Sequence, residues 1–177
     1  PLPKLLTEAG YATVLVGRNM HQVPESGACG YQKRILGSTY INDDGYDRFL
    51  RKAAPETGGI KSLVEKLELD YNYWQAAPWP LPDEMHPTEW TVAESRKVVR
   101  ETDAKQPLFL TTSFYAPHPP LFAPQCYFDT YMKKKLPTPA RGDWVDWHAL
   151  SSKTLRRNTR IRLEGEALRR CQAGYYG

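Results

Sequence analysis

Two nearly continuous apolar runs predict buried strands. Tyr11–Val16 and Pro107–Phe114 are rich in β-branched and aromatic residues, which is typical of parallel strands covered on both faces. Between them, apolar residues at helical spacing predict a helix over Ile60–Leu67. The spacing of Thr91 and Glu94 is that of a capping box, which predicts a second helix ending near Glu101. A strand, helix and strand in this order predict an α/β domain with a right-handed crossover.

Shorter patterns complete the predicted organisation. Pro3–Ala9 is expected to form a helix with Leu5 and Leu6 as its buried side, and Gly10 can adopt the left-handed stop. A short strand is expected over Tyr71–Gln75, and a last helix from about Ile161. Residues 30–85 otherwise look like an excursion from the sheet, and the chain beyond Leu121 looks polar and irregular.

Composition excludes several classes of protein. The chain has 177 residues, of which 41% are hydrophobic and 25% charged, as in ordinary globular domains. Its apolar runs are far too short for a membrane span, and the mean hydropathy is -0.61. The net charge of +4 is too mild to indicate a nucleic-acid partner, and the arginines over Arg156–Arg170 are spaced for a solvated helix face. We therefore expect neither a membrane nor a nucleic acid as partner.

The three cysteines do not indicate a disulfide framework or a zinc site. Cys29, Cys126 and Cys171 are odd in number and lie far apart in the sequence. We expect small thiols that are buried or half-buried.

Cationic and imidazole side chains follow both predicted strands. Arg18 and His21 come after the first, and His118 comes after the second. Ligands of open α/β sheets bind outside the carboxyl ends of parallel strands, so the two loops are expected to open on one edge and to share a site. A guanidinium and two imidazoles suit a tetrahedral oxyanion, since the first holds charge bidentately and the others donate hydrogen bonds or pass protons.

Structural interpretations compete with these functional ones. A histidine in a His-Pro-Pro segment is often only hydrogen-bonded in a rigid loop, and the tryptophans Trp74, Trp79 and Trp90 either stack on a substrate ring or pack loops onto the sheet, with packing favoured. Asn42–Gly45 is a turn signal rather than a calcium site. His86 and His148 are expected on surface loops.

The ordered set of motifs resembles the type I sulfatases. Leu5–His21 is similar to that family's segment L-x-x-A-G-Y-x-T-x-x-x-G-K-x-H. Pro107–Pro120 is similar to its P-F-F-L-x-x-S-F-x-x-P-H-x-P strand and loop, and Ala173–Tyr176 to its later A-x-Y-Y helix. The matches keep the family's order and span nearly the whole chain.

The resemblance implies an alkaline-phosphatase-like α/β fold, with a mixed sheet between helical layers, of which this chain is a partial domain. The implied activity is hydrolysis of a sulfate ester on a small molecule or a carbohydrate. Arg18 lies where the family has a sulfate-binding lysine, His21 matches a histidine that positions the sulfate and the nucleophile, and His118 matches the histidine near the leaving-group oxygen. The family spacing is Lys-x-His, whereas Asn19 and Met20 both separate Arg18 from His21 here.

The family's nucleophile motif does not occur in this sequence. Sulfatases of this type convert the first residue of C/S-x-P/A-x-R to formylglycine and use a calcium ion, and none of the three cysteines begins such a motif. The resemblance therefore implies that residues 1–177 are the central part of one catalytic domain, lacking an N-terminal nucleophile segment and a C-terminal metal-binding segment. We expect no metal ligand within the chain, and no activity from the chain alone.

Two other classes of function stay open at this stage. A phosphodiesterase or phosphonate hydrolase of the same superfamily would recognise a similar tetrahedral group. A non-catalytic module would use its Trp and Tyr residues to bind carbohydrate or protein. The oligomeric state is not indicated by any pattern in the sequence.

Overall fold

The computed structural model describes residues 1–19, 27–140, 142–143 and 163–177. Its strands are β1 Ala12–Gly17, β2 Lys33–Leu36, β3 Ala76–Pro78, β4 Leu108–Ser113 and β5 Leu121–Ala123. Its α-helices are α1 Leu2–Glu8, α2 Gly45–Ala53, α3 Ile60–Lys66, α4 Pro87–Glu101, α5 Gln125–Lys133 and α6 Gly165–Tyr176. Helices combined with parallel strands confirm the α/β class and are compatible with a partial alkaline-phosphatase-like domain.

The first of two compact units, Pro1–Leu63 with Leu81–Tyr115, contains a three-stranded parallel sheet in the order β2-β1-β4. The predicted strands after Gly10 and Gln106 are confirmed as β1 and β4, with β1 in the centre. Gly17 pairs with Leu36 in β2 and with Ser113 in β4. The last residue of each strand therefore lies level with the other two.

The core of this unit lies between the sheet and α4. Val14 and Val16 of β1 are buried together with Val98 of α4. The hydroxyl of Thr112 on β4 donates to Ser95 Oγ of the same helix, 3.0 Å away. Apolar packing and this hydrogen bond fix α4 against the two strands.

The predicted first helix is confirmed, but its predicted buried side is wrong. In α1 the buried residue is Pro3, and Leu5 is 62% exposed. The hydroxyl of Thr7 is 2.7 Å from that of Thr13 in β1, so the face with Pro3 and Thr7 is the one turned to the strand. Gly10 follows the helix at a φ of +91°, as expected of a left-handed stop.

Helix α4 begins four residues before the predicted cap. His86 is its N-cap residue, and His86 Nδ1 accepts a hydrogen bond from Thr88 N at 3.2 Å. Thr91 lies inside the helix and donates to the carbonyl of Pro87. The expectation that His86 lies on a surface loop was wrong, because the side chain is only 5% exposed.

The stretch predicted as an excursion contains parts of the fold. Strand β2 pairs with β1, and α2 follows it within the same unit. The predicted turn over Asn42–Gly45 is confirmed, with Asp43 at a φ of +59°. Its last carboxylate, Asp44, accepts from Asp47 N and caps α2.

The second unit, Val64–Pro80 with Ala116–Gly177, is built on the parallel pair β3 and β5. Helices α5 and α6 pack with these strands around Leu121, Phe128 and Ala173. A Cβ at Gly174 would crowd the Cβ atoms of Ala76 and Leu121, so glycine allows α6 to approach the strands closely.

The predictions for this second unit are confirmed only in part. The short strand begins at Ala76 instead of Tyr71, because Tyr71 and Asn72 form a turn with Asn72 at a φ of +61°. The chain beyond Leu121, expected to be irregular, forms β5 and α5. The last helix is confirmed from Gly165, and its expected first residues, 161–162, lie outside the described residues.

The cysteines and the helices add two further observations. Within the described residues the three cysteines form no disulfide: Cys171 is buried and Cys29 half-buried, whereas Cys126 is exposed on α5 against expectation. Among the helices that the structure describes, none is long and apolar enough to cross a bilayer.

Candidate functional site

Arg18 directly follows β1, at the edge of the sheet where the last residues of three parallel strands lie level. Its backbone N–H donates to the carbonyl of Ser113 at 3.0 Å. Gly17 precedes it at a φ of +99°, and a Cβ there would collide with the same carbonyl oxygen. Only glycine permits this close approach of β1 and β4. The backbone contacts between β1 and β4 therefore fix the position of the Arg18 Cα atom.

A cavity of about 210 Å³ opens at this edge of the sheet. Its walls include Arg18 and Asn19 after β1, and Gly37 and Ser38 after β2. A Cβ at Gly37 would collide with the ring of Trp90, which is 5% exposed and lies behind that wall. The cavity therefore combines a guanidinium, an amide and a hydroxyl on a firmly packed support.

Two adjacent tyrosine rings contact the Arg18 guanidinium. Arg18 Cζ lies 5.3 Å from the ring centroid of Tyr40 and 4.6 Å from that of Tyr115. Arg18 Nε is buried and has no hydrogen-bond partner among the residues that the structure describes. Burial raises the pKa of Tyr115, partly offset by a hydrogen bond with Thr39 and by the positive charge of Arg18. The phenol next to the guanidinium is therefore neutral at physiological pH.

The acidic turn beside the cavity is fully engaged in hydrogen bonds. Asp44 also lines the cavity, but one of its oxygens accepts from Asp47 N and the other from the backbone and hydroxyl of Ser38. Asp47 is completely buried and accepts from Asp43 N, Ile60 N and Arg51 Nε. These carboxylates therefore hold α2 and its neighbours in place.

The pKa values of the two carboxyl groups are shifted in opposite directions. Burial raises the pKa of Asp44, and the hydrogen bonds from Asp47 and Ser38 offset this only in part. Burial alone would also raise the pKa of Asp47, but the hydrogen bonds from Arg51, Asp43 and Ile60 together with the charge of Arg51 lower it below the ordinary 3.8.

A calcium ion does not fit these carboxylates. Their oxygens already accept from N–H and O–H donors that point where a cation would lie, and Ca²⁺ requires six to eight oxygen ligands. In the ranges 1–19, 27–140, 142–143 and 163–177, no three His, Cys, Asp or Glu side chains are grouped so that they could hold a metal.

His118 lies in the second unit, in the turn between Ala116 and Pro120. Its Nδ1 is 2.6 Å from the carbonyl oxygen of Pro119. Because a carbonyl oxygen only accepts, Nδ1 must carry the hydrogen. The proton that the ring gains or loses is then on Nε2.

The three sequence-predicted site residues are therefore placed differently. Arg18 lies in the first unit and His118 in the second, each with its own hydrogen-bonding geometry. His21 lies outside the described residues, as does His148. That these three side chains share one site stays a prediction.

The tryptophans separate into two groups. Trp79 is 3% exposed and packs on Phe122 with ring centroids 5.2 Å apart, and Trp90 contacts the ring of Tyr46 edge-on. Burial of both supports the packing interpretation. Trp74 is 42% exposed and is the one of the three with a face open to solvent.

Sequence reasoning missed Tyr40, Tyr115 and Ser38 as neighbours of Arg18. Each lies a few residues beyond the end of β2 or β4. Only their positions in the sequence could have indicated them, because they follow strands whose ends align with that of β1. Two of them follow β2, a strand that the sequence did not predict.

Fold and site together define an α/β protein with an arginine at the carboxyl edge of a parallel sheet, an arrangement suited to an anionic ligand. No family model matches the chain. An arylsulfatase of Clostridium perfringens (strain 13 / Type A) is 34% identical to it over 184 aligned residues, which cover 97% of this chain. The chain spans 38% of that relative's length. This similarity supports assignment of the chain to a sulfatase family.

Proposed function

We propose that this chain is the central part of the catalytic domain of a sulfuric ester hydrolase, and that Arg18 binds the sulfate group of its substrate. The observation that carries the proposal is the position of Arg18, at the level ends of three parallel strands and on the wall of a cavity. The similarity to an arylsulfatase along nearly the whole chain supports sulfate over other anions and suggests an aryl sulfate as the first substrate to try.

The chain's own residues supply binding and proton transfer in this proposal. The Arg18 guanidinium donates two parallel hydrogen bonds to sulfate oxygens, which orients the S–O bond to be cleaved. His118 donates a proton from Nε2 to the leaving-group oxygen, with Nδ1–H held by the Pro119 carbonyl. His21 positions the sulfate and the nucleophile.

The nucleophile and the metal belong, in this proposal, to segments outside residues 1–177. A formylglycine and a calcium ion are proposed for the full-length protein, where they would supply the attacking oxygen and neutralise charge. The hydrogen-bonded carboxylates of Asp44 and Asp47 do not fit such an ion. Those two residues are therefore not proposed as its ligands.

Hydrolysis of 4-nitrophenyl sulfate and 4-nitrophenyl phosphate by the full-length protein tests this function. The two esters share a leaving group and differ only in the tetrahedral centre. We expect kcat/KM for the sulfate to exceed that for the phosphate by at least about tenfold. Phosphate turnover equal to or faster than sulfate turnover would instead indicate a phosphate-ester hydrolase of the same superfamily, and bis(4-nitrophenyl) phosphate and 4-nitrophenyl phenylphosphonate would then test a phosphodiesterase and a phosphonate hydrolase.

Variants of His118 test the proton-transfer role separately. His118→Ala should lower kcat for 4-nitrophenyl sulfate by about 10²-fold or less, and more for an alkyl sulfate, whose leaving group needs the proton. Equal losses on both esters would contradict the assignment of His118 as the proton donor. Unchanged activity in both His118→Ala and Arg18→Ala, with carbohydrate binding retained, would point to a non-catalytic module.

A further inference from the structure

Three residues that follow three different strands meet around one guanidinium. Arg18 follows β1, Tyr40 follows β2 by a few residues, and Tyr115 follows β4. All three belong to the first compact unit. Because Gly17 pairs with the last residues of both neighbouring strands, the three loops start at the same level of the sheet. Their meeting is therefore a consequence of the strand register.

The contacts between the three side chains are made through ring faces. The guanidinium carbon of Arg18 lies over the Tyr40 ring at 5.3 Å and over the Tyr115 ring at 4.6 Å, and the two ring centroids are 5.8 Å apart at an angle of 42°. Both distances are within the range of cation–π interaction. Because the two rings also contact each other, they lie on one side of the guanidinium and leave the donors on its other side for a ligand.

Among the described residues, the arrangement holds a positive charge without a negative partner. Within the part of the chain that the structure describes, no carboxylate forms an ion pair with Arg18, and its Nε has no hydrogen-bond acceptor. Neutral aromatic faces stabilise a cation yet do not neutralise it. A carboxylate partner would instead compete with an incoming anion for the same N–H groups.

We propose that Tyr40 and Tyr115 are positioning residues, whose adjacent rings form a two-ring clamp against one side of the Arg18 guanidinium and hold it for the sulfate group of the substrate. This inference rests on the proposed function, since it assigns a role to the tyrosines only if Arg18 binds sulfate. The clamp restricts the long arginine side chain before the anion arrives, so less rotamer freedom is lost on binding. An ammonium group has no plane to lie over the two rings, so Arg18→Lys is not a conservative change here.

Inorganic sulfate is the probe that tests the clamp. We would measure its Kd by isothermal titration calorimetry, and KM and kcat for 4-nitrophenyl sulfate, with the full-length protein and its Tyr40→Leu and Tyr115→Leu variants. Each leucine removes a ring face, and we expect each to weaken sulfate binding about tenfold. KM should rise by a similar factor. Tyr127→Leu, which alters an exposed tyrosine of the second unit, is the matched control and should change neither value.

Two further variants distinguish positioning from a general packing role. Tyr40→Phe and Tyr115→Phe keep the ring faces and should retain sulfate affinity within about threefold. In the Arg18→Ala background, Tyr40→Leu should have no further effect on the Kd, because there is no guanidinium left to position. Equal additional losses in that background would overturn the clamp.

Failure of the clamp and failure of the proposed function give different results. If Arg18→Ala weakens sulfate binding but both leucine variants bind like the unaltered protein, the clamp is wrong and the proposed function stands. If the unaltered protein neither binds sulfate nor hydrolyses the aryl sulfate, the proposed function is wrong and the clamp with it. If the leucine substitutions destabilise the protein, the phenylalanine variants decide the question. The clamp then requires that the phenylalanine variants bind sulfate normally.

Discussion

Arg18 and Asp47 are charged side chains in the same unit with opposite surroundings. Asp47 is completely buried, and three donors saturate its carboxylate. Arg18 is held by two aromatic faces, and its Nε has no hydrogen-bond partner in the ranges that the structure describes. A charge whose hydrogen bonds are all satisfied within the chain stabilises the fold, whereas one held only by aromatic rings keeps its donors for a ligand.

The same contrast separates the two groups that line the cavity. Asp44 and Arg18 both line it, yet the Asp44 oxygens are engaged by Ser38 and by the first turn of α2. The carboxylate therefore belongs to the scaffold, and the guanidinium is the group presented to a ligand. Position beside a cavity does not by itself identify a functional residue, and the hydrogen-bond partners are needed to decide.

The largest effect is expected from Asp47→Asn. The amide nitrogen of asparagine would face N–H donors from Asp43, Ile60 or Arg51, whichever way it is oriented. We expect a loss of about 3–4 kcal/mol in the free energy of unfolding, because a buried acceptor of three hydrogen bonds is replaced by a group that opposes at least one of the donors. Chemical denaturation of the two proteins measures the difference.

Asp43→Asn is the control for this change. The Asp43 side chain is 83% exposed, so its substitution should alter stability by less than about 0.5 kcal/mol. Similar losses in both variants would show that Asp47 is not the centre of the hydrogen-bond network.

Acidification should reduce the cost of Asp47→Asn. The pKa of Asp47 is lowered in the folded state below 3.8, so its contribution to stability is complete above that pH and is lost as the pH falls through the folded-state pKa. The stability difference between the unaltered protein and the variant should therefore shrink below pH 3.8. A difference that stays constant from pH 7 to about pH 2 would contradict an ionised Asp47.

The second largest effect is expected from Arg18→Ala, and on activity instead of stability. Loss of both sulfate hydrogen bonds should lower kcat/KM of the full-length protein for 4-nitrophenyl sulfate by about 10²-fold, equivalent to about 2.7 kcal/mol. The free energy of unfolding should change by less than about 1 kcal/mol, since the side chain forms no ion pair within the described residues.

Arg100→Ala provides the comparison for Arg18. Arg100 is an exposed residue near the end of α4, and its loss should leave kcat/KM unchanged. A large stability loss in Arg18→Ala, with activity reduced only in proportion to unfolding, would make Arg18 a structural residue like Asp47.

Strong local patterns explain which parts of the fold were predictable. Strand β1 is buried in the centre of the sheet, and the apolar residues of β4 pack on the same core, so both strands contain apolar runs that are visible in the sequence. Strand β2 has only four residues and begins with Lys33 and Arg34, and β3 consists of two alanines and a proline. The pairing of these strands is decided by neighbours distant in the sequence, which no local pattern contains.

The candidate site was predictable for the same reason only in part. Arg18 follows a strand that the sequence reveals, so its location at a sheet edge was predictable. Its contact with Tyr40 and Tyr115 depends on the register of β2 and β4 against β1. Helix α2 was also missed, because Asn42–Gly45 indicates a turn and the capping role of Asp44 appears only when the helix behind it is known.

The smallest effect is expected from His86→Ala. This change removes a buried polar group that, like Asp47, is hydrogen-bonded within the chain. His86 is buried and caps α4 through the hydrogen bond that its Nδ1 accepts from Thr88 N. Its removal should cost about 1 kcal/mol of unfolding free energy, as for other N-cap residues. His86→Asn, which supplies another capping acceptor, should recover part of the loss. The activity of both proteins is then compared under conditions where both are folded. If kcat/KM for 4-nitrophenyl sulfate falls by more than about twofold, His86 is part of the site. Hydrogen bonding within the chain would then no longer distinguish structural polar groups from functional ones.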